Sequence, residues 1–162
     1  MTNLWVISDT HIPERTRKLP KEFLEKINGE DMIFHCGDFV CLEVLEELER
    51  KALVYAVFGN MDYPELKSLL PKKRVEQISE IKIGLIHGLG SSFGLAQRIY
   101  GEFKEKPEVI LFGHSHSPYQ GKIENTLLFN PGSLSGNLMS WKKSYGILHI
   151  AEDRIWSEVF YL

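Results

Sequence analysis

The sequence predicts an α/β fold of two stacked mixed β-sheets flanked by helices. Two observations lead there. Over the first 60 residues, strand-sized apolar runs alternate with amphipathic stretches, the pattern of parallel strands joined by right-handed helical crossovers. From about residue 108 onward only strand-like runs remain, and that β-rich end implies a second sheet packed on the first.

Residues 4–8 read as a buried strand ending in a polar cluster. Residues 20–27 read as a helix, because Phe23, Leu24 and Ile27 share one face at helical spacing. A second short strand over 32–34 runs into His35-Cys36-Gly37-Asp38. Residues 42–50 carry Leu42, Leu45 and Leu48 on one side and glutamates on the other, which marks an amphipathic helix. A third strand over 53–58 ends at Gly59-Asn60-Met61-Asp62. Residues 74–79 and 82–87 read as a β-hairpin turning near Glu80-Ile81. A helix over 93–104 and a strand over 108–112 follow. The last strands are expected at 119–123, 127–129, 145–151 and 155–161.

A length of 162 residues favours one domain, spanning 1–162, around one core. With 43% hydrophobic and 25% charged residues, the chain is neither disordered nor fibrous in character. A formal charge of −3 argues against nucleic acid as the main partner, while leaving it open, and against a polybasic membrane anchor. The apolar runs are strand-sized, far short of the roughly 20 residues of a membrane span, so no membrane partner is expected. Met1-Thr2-Asn3-Leu4-Trp5 lacks the basic-then-apolar layout of a signal peptide. Cys36 and Cys41 form no disulfide framework or zinc-finger spacing. They read as reduced thiols of a cytoplasmic protein, with a role beside a metal site as the alternative. The oligomeric state is left open, a homo-oligomer included.

Position makes the reactive residues informative. Asp9 and His11 follow the first expected strand, Asp38 the second and Asn60 the third. His87 ends the hairpin, and His114 and His116 follow the strand over 108–112. The carboxyl edge of an α/β sheet is where ligands bind, and loops from one edge can converge on a point. Asp9-Thr10-His11 and His114-Ser115-His116 each offer two ligands two residues apart. Glycines precede Asp38, Asn60 and His114, where tight turns and close backbone approach are needed. Carboxylate, amide and imidazole together suit Mn, Fe, Zn, Ni or Co better than Mg or Ca. Seven ligands exceed one tetrahedral ion and suffice for two ions sharing a carboxylate.

These residues carry a resemblance. Asp9-x-His11, Gly37-Asp38, Gly59-Asn60, His87 and Gly113-His114-Ser115-His116 resemble, in order, the motifs of the calcineurin-like metallophosphoesterase family. The short length and Gly59-Asn60-Met61-Asp62 resemble its small prokaryotic branch, the phosphodiesterases of the YfcE type. The likeness runs from Asp9 to about Ser133. It implies that Asp9, His11 and His116 bind one divalent transition-metal ion. Asn60, His87 and His114 bind a second, and Asp38 bridges, with Mn the first choice of metal. It also implies Asp38, Asn60 and His87 as catalytic residues, a small phosphoester as substrate, and a bridging hydroxide attacking phosphorus in line. Many members carry a histidine after the Gly-Asn pair, proposed to protonate the leaving group. Met61 stands there instead, and the branch resembled is associated with diesters rather than monoesters. The family fold also serves a eukaryotic sorting-complex subunit as an interaction platform, so a catalytically weak metal-binding scaffold is the rival reading.

Other features have plainer readings. His35 is expected to be buried and bonded to backbone, and His149 to be structural. Gly88-Leu89-Gly90-Ser91-Ser92-Phe93-Gly94 resembles a dinucleotide fingerprint, but its last glycine is one place late. The same loop could offer backbone N–H groups to a phosphate. Arg15, Arg17 and Lys18 either attract an anion or are solvated. Residues 130–133 are either a simple turn or a turn bordering the site. Substrate choice is expected to lie in the loops 13–19, 63–71 and 136–143, where Tyr63 and Trp141 either stack on a base or pack.

Overall fold

The structure is a computed structural model that describes residues 1–136 and 142–162. Trp141 and most of the expected substrate loop 136–143 lie outside the described residues. Ten strands form two five-stranded sheets. In the first, β1 (Thr2–Ile7), β2 (Met32–His35) and β3 (Leu53–Ala56) run parallel, with Trp5 opposite Ile33 and Phe34 opposite Tyr55. The second holds β4 (Lys73–Ile78), β5 (Ile81–Ile86), β6 (Val109–Leu111), β7 (Tyr119–Ile123) and β8 (Thr126–Asn130) in the order β4-β5-β6-β8-β7. Here β5, β6 and β8 are parallel, and β4 and β7 pair antiparallel at the edges.

The last two strands depart from expectation. β9 (Ser144–Ile150) pairs with β1, and β10 (Ile155–Tyr161) pairs with β9, so both extend the first sheet rather than the second. β9 runs antiparallel to β1 with Leu4 opposite Leu148. The second sheet is instead assembled from the middle of the chain, starting at the expected hairpin.

Side-chain alternation makes the layers, since a strand turns successive residues to opposite faces. Leu4, Val6, Phe34, Ile83, Leu85, Val109, Leu111, Phe129 and Leu148 fill the space between the sheets. Their neighbours Ile7 and Ile33 face outward, against helix α2 (Leu42–Glu49) and Phe23 of α1 (Lys21–Leu24). On the far side, α4 (Leu95–Gly101) sets Leu95 and Ile99 against Ile86, Ile110 and Leu128. Each fully buried Leu, Ile or Phe contributes roughly 1.5–3 kcal/mol. Burial of this kind, more than the strands' own short ladders, keeps their carboxyl ends in one place.

The helices are shorter than expected. α1 is a single turn that ends at Leu24, with Glu25 as its C-cap. α4 begins at Leu95, since Gly94 takes a left-handed φ of +67° at its N-cap. A helix α3 (Pro64–Leu69) occupies much of the expected 63–71 loop and buries Leu66 against the first core. Pro64 at its first position is a helix-start feature.

Candidate metal centre

All seven candidate ligands leave the carboxyl ends of parallel strands and meet at one rim of the two sheets. Asp9 and His11 follow β1, Asp38 follows β2, Asn60 follows β3, His87 follows β5, and His114 and His116 follow β6. Their contacts form one unbroken chain. His116 Nε2 lies 3.1 Å from Asp9 Oδ1 and 3.2 Å from His11 Nε2. His11 Nε2 is 3.6 Å from Asp9 Oδ1 and 3.7 Å from Asp38 Oδ2. Asp38 Oδ2 then meets His87 Nε2 at 3.2 Å, and Asn60 Oδ1 sits 3.1 Å from both His87 Nε2 and His114 Nδ1. Asp9, His11, Asp38 and His116 each offer an atom within 4.8 Å of the others.

The bond partners say which atoms are free to bind. A carbonyl only accepts, so His87 donates from Nδ1 to Cys36 O at 2.7 Å and presents a bare Nε2 when neutral. By the same logic His114 donates from Nε2 to Gly90 O at 2.7 Å and turns a bare Nδ1 to Asn60. Two nitrogen lone pairs, Asn60 Oδ1 and Asp38 Oδ2 therefore face one another, and all are acceptors. Asp9 Oδ1 is fully buried, with the imidazoles of His116 and His11 as its nearest neighbours. A buried carboxylate oxygen placed so calls for a cationic neighbour, and a metal ion held by those same imidazoles would serve. The donor set and its burial fit divalent ions, and ligating imidazoles typically donate their other N–H to backbone in this way.

Electrostatics agree. Burial alone would lower the His87 pKa, but its bond to Asp38 and the charges of Asp9 and Asp38 push it up to about 9. Without a metal, the acceptor set holds a proton there. Burial would raise the Asp9 carboxyl, yet His11 and His116 beside it, with His87 further off, hold it well below the usual carboxylate range. Asp38 is likewise lowered: burial opposes, and the bond and charge of His87 prevail.

The backbone under the ligands is unusual. Asp9, His11, Asp38, His114 and His116 all adopt positive φ, between +44° and +69°. Non-glycine residues rarely do so, and each such conformation must be held by its surroundings. Supports are present for each loop. Asp62, 3% exposed, accepts three backbone N–H groups, from Gly59 (2.7 Å), Val40 (2.7 Å) and Asp38 (3.1 Å). Burial pushes its own pKa up, against those bonds. Met61 N donates to Asp38 Oδ1 at 2.8 Å, while Ser8 Oγ and His114 N donate to Asp9 Oδ2. Ser133 Oγ holds Asp9 O at 2.8 Å, and Asn130 Nδ2 holds Gly113 O at 2.8 Å. Residues 130–133 thus border the site, the second of the two readings offered for them. Gly59 and Gly113 are required by space: a methyl on either would land on Asp38 or on Ser8.

The plainer residues also find places. His35 is buried, accepts from Gly37 N through Nδ1 and stacks 3.4 Å from Phe39. Burial lowers its pKa to about 3, so it stays neutral. His149 bonds Asn3 and stacks on Trp156, as a structural residue would. Cys36 and Cys41 are free, and burial pushes the Cys36 thiol well up. Arg15 Nη1 donates to His116 Nδ1 at 2.9 Å. Ligation through His116 Nε2 puts the ring proton on Nδ1, so it requires Arg15 to let go. The 88–94 loop wraps Arg98, which donates to the carbonyls of Leu89, Ser91 and Phe93. Asp62, Ser8, Asn130 and Ser133 are the supports that sequence reasoning gave no definite role.

Comparison with known proteins decides the family. Residues 2–153 match the calcineurin-like phosphoesterase superfamily domain. This chain belongs to that superfamily. A relative among the metallophosphoesterases is a probable metallophosphoesterase of Methanocaldococcus jannaschii, 40% identical over 79% of this chain and 66% of its own length. A phosphodiesterase of the same organism is 28% identical over 82% of this chain and 84% of its length. A Thermotoga maritima protein solved by NMR is 36% identical over the whole of both chains, with a TM-score of 0.79. Vps29 of Chaetomium thermophilum, at 16% identity, shares the metallophosphoesterase fold with a TM-score of 0.77 over 99% of this chain and 98% of its own. Among the described residues no helix is long and apolar enough to cross a membrane.

Proposed function

We propose that this metallophosphoesterase is a dinuclear-metal phosphodiesterase. One observation carries the reading: Asp38 Oδ2, Asn60 Oδ1 and the bare ring nitrogens of neutral His87 and His114 converge as acceptors, beside a second set in which Asp9, His11, Asp38 and His116 offer atoms within 4.8 Å of one another. Asp9, His11 and His116 would hold one ion and Asn60, His87 and His114 the other. Asp38 Oδ2, within reach of both His11 and His87, would be shared. Mixed carboxylate, amide and imidazole ligation favours Mn, with Fe, Zn, Ni and Co as alternatives. When bound, such a pair neutralises phosphoryl oxygens and makes water nucleophilic near neutral pH.

The remaining work belongs to the chain itself. The Cys36 and Gly90 carbonyls orient the His87 and His114 rings. Met61 N fixes one Asp38 oxygen and leaves the other for binding. Positioned, largely buried groups of this kind lower the cost of organising charge during reaction. Met61, 43% exposed, offers no proton to a leaving group. Substrates whose leaving group departs as a stable anion, aryl esters among them, are therefore favoured. The related archaeal phosphodiesterase is what favours diesters over monoesters. The free thiols suit a reducing compartment, so a cytoplasmic location is part of this reading.

The test is turnover of bis-p-nitrophenyl phosphate against p-nitrophenyl phosphate by Mn²⁺-loaded protein. We expect the diester to be preferred at least tenfold in kcat/KM. Bound metal with no turnover of either ester would favour the scaffold reading instead.

A further inference from the structure

A cavity of about 270 Å³ opens directly beside Asn60 and His87. Most of its wall is apolar: Phe58, Ile86, Leu95 and Ile99 line it, the exposed Leu89 stands at its mouth, and its charges are those of Lys72, Arg98 and Glu102. The apolar part of the wall would not offset the desolvation of a phosphate. It suits a ring. An apolar cavity on the order of 150 Å³ already holds benzene, so this one has room for an aryl group or a heterocycle.

Three features tie the cavity to a substrate rather than to idle packing. Asn60 and His87 belong both to its lining and to the ligand cluster, so a substituent on a phosphoryl group at that cluster continues into it. Lys72 lies on the lining, and among the described residues its ammonium has no ion pair or hydrogen bond, which leaves it for the single charge of a diester. Arg98 is already committed to three carbonyls of the 88–94 loop, so it does not compete for the anion. It ties that loop down, and the cavity is formed before anything binds.

We propose that this cavity receives an aromatic ester substituent of a phosphodiester whose phosphoryl group sits at the ligand cluster. The inference rests on the phosphodiesterase reading and adds the place that receives the aryl group. A ring held equally in ground and transition states lowers KM and leaves kcat largely unchanged.

Two measurements test it. In the first, dimethyl phosphate and methyl phenyl phosphate compete with bis-p-nitrophenyl phosphate in Mn²⁺-loaded protein. We expect the phenyl ester to have a Ki at least tenfold lower, and Leu89→Asp, a change at an exposed position, to cut that ratio to threefold or less. In the second, methyl phenyl phosphate is titrated into Zn²⁺-loaded protein carrying ¹³C-labelled methyl groups. Shifts should concentrate at Ile86, Leu95 and Ile99. Equal Ki values for the two esters, or methyl groups that do not move, overturn the pocket assignment. Failure of the metal-loaded protein to hydrolyse any diester overturns the phosphodiesterase reading instead, and the methyl shifts still report whether the ring enters.

Discussion

Asp62→Ala should unfasten the site from beneath. The Asp62 carboxylate accepts from the backbone of Gly59, Val40 and Asp38, and among the described residues no other side chain serves those three N–H groups. A hydrogen bond to a charged group is worth about 1.5–3 kcal/mol net, and a donor left bare and buried costs about as much. Three such bonds give an upper figure of roughly 5–9 kcal/mol. Asp38 lies close and its charge disfavours a second anion there, so the ionised form is worth less than three ideal bonds. Water entering the vacated space lowers the cost further. Some strain is also released, because Val40 is held at φ +83°, a conformation that costs a β-branched residue on the order of 1–3 kcal/mol. The expected loss is therefore about 3–5 kcal/mol, a large part of a typical domain's 5–15 kcal/mol. Asp62→Asn keeps an acceptor for the pair from Asp38 and Gly59 but turns an NH₂ toward Val40 N, and should lose about 2 kcal/mol. Urea unfolding of the metal-free protein measures both. A loss below 1 kcal/mol for Asp62→Ala would refute the idea that this carboxylate holds the loops together.

Two more predictions use the same geometry. Gly59→Ala puts a methyl group on the Asp38 carboxylate, which must swing away. Overpacking of this kind costs about 1–3 kcal/mol, and Mn²⁺ affinity measured by titration should fall at least tenfold; unchanged affinity would show that Asp38 need not stay where it is. His35 should make stability fall in acid. Its pKa is about 3 in the folded chain against an ordinary 6.5, so the folded state resists the proton that the unfolded chain accepts. The contribution is full above pH 6.5 and drains as pH falls toward 3, by up to about 1.4 kcal/mol per pH unit. Wild-type protein should lose about 1.6 kcal/mol between pH 6.5 and 5 relative to His35→Asn, in matched urea titrations of metal-free protein. Parallel curves for the two would contradict this.

The parallel strands were legible because each is an apolar run of strand length, and the seven polar groups were legible because each stands just past one. Which sheet a late strand joins was not legible. β9 and β10 are ordinary alternating strands, and nothing in Tyr145 or Leu148 says that their neighbour is β1. α3 was read as loop because only Leu66, Leu69 and Leu70 break its polar run, although Pro64 fits a helix's first turn. The role of Asp62 was hidden for a different reason. Its partners are backbone N–H groups, which every residue but proline carries, so no side chain marks them. The left-handed backbone at Asp9, Asp38 and His116 is likewise written in surrounding contacts rather than in residue type.

The dinuclear proposal puts two cations among these seven groups with Asp38 between them. Anomalous diffraction from crystals grown with Mn²⁺ tests it most directly. We expect two peaks about 3.5–4 Å apart, the usual spacing of such pairs, one beside Asp9, His11 and His116 and the other beside Asn60, His87 and His114. The Asp38→Asn protein should show both weakened. One peak alone, or peaks away from Asp38, would contradict the account.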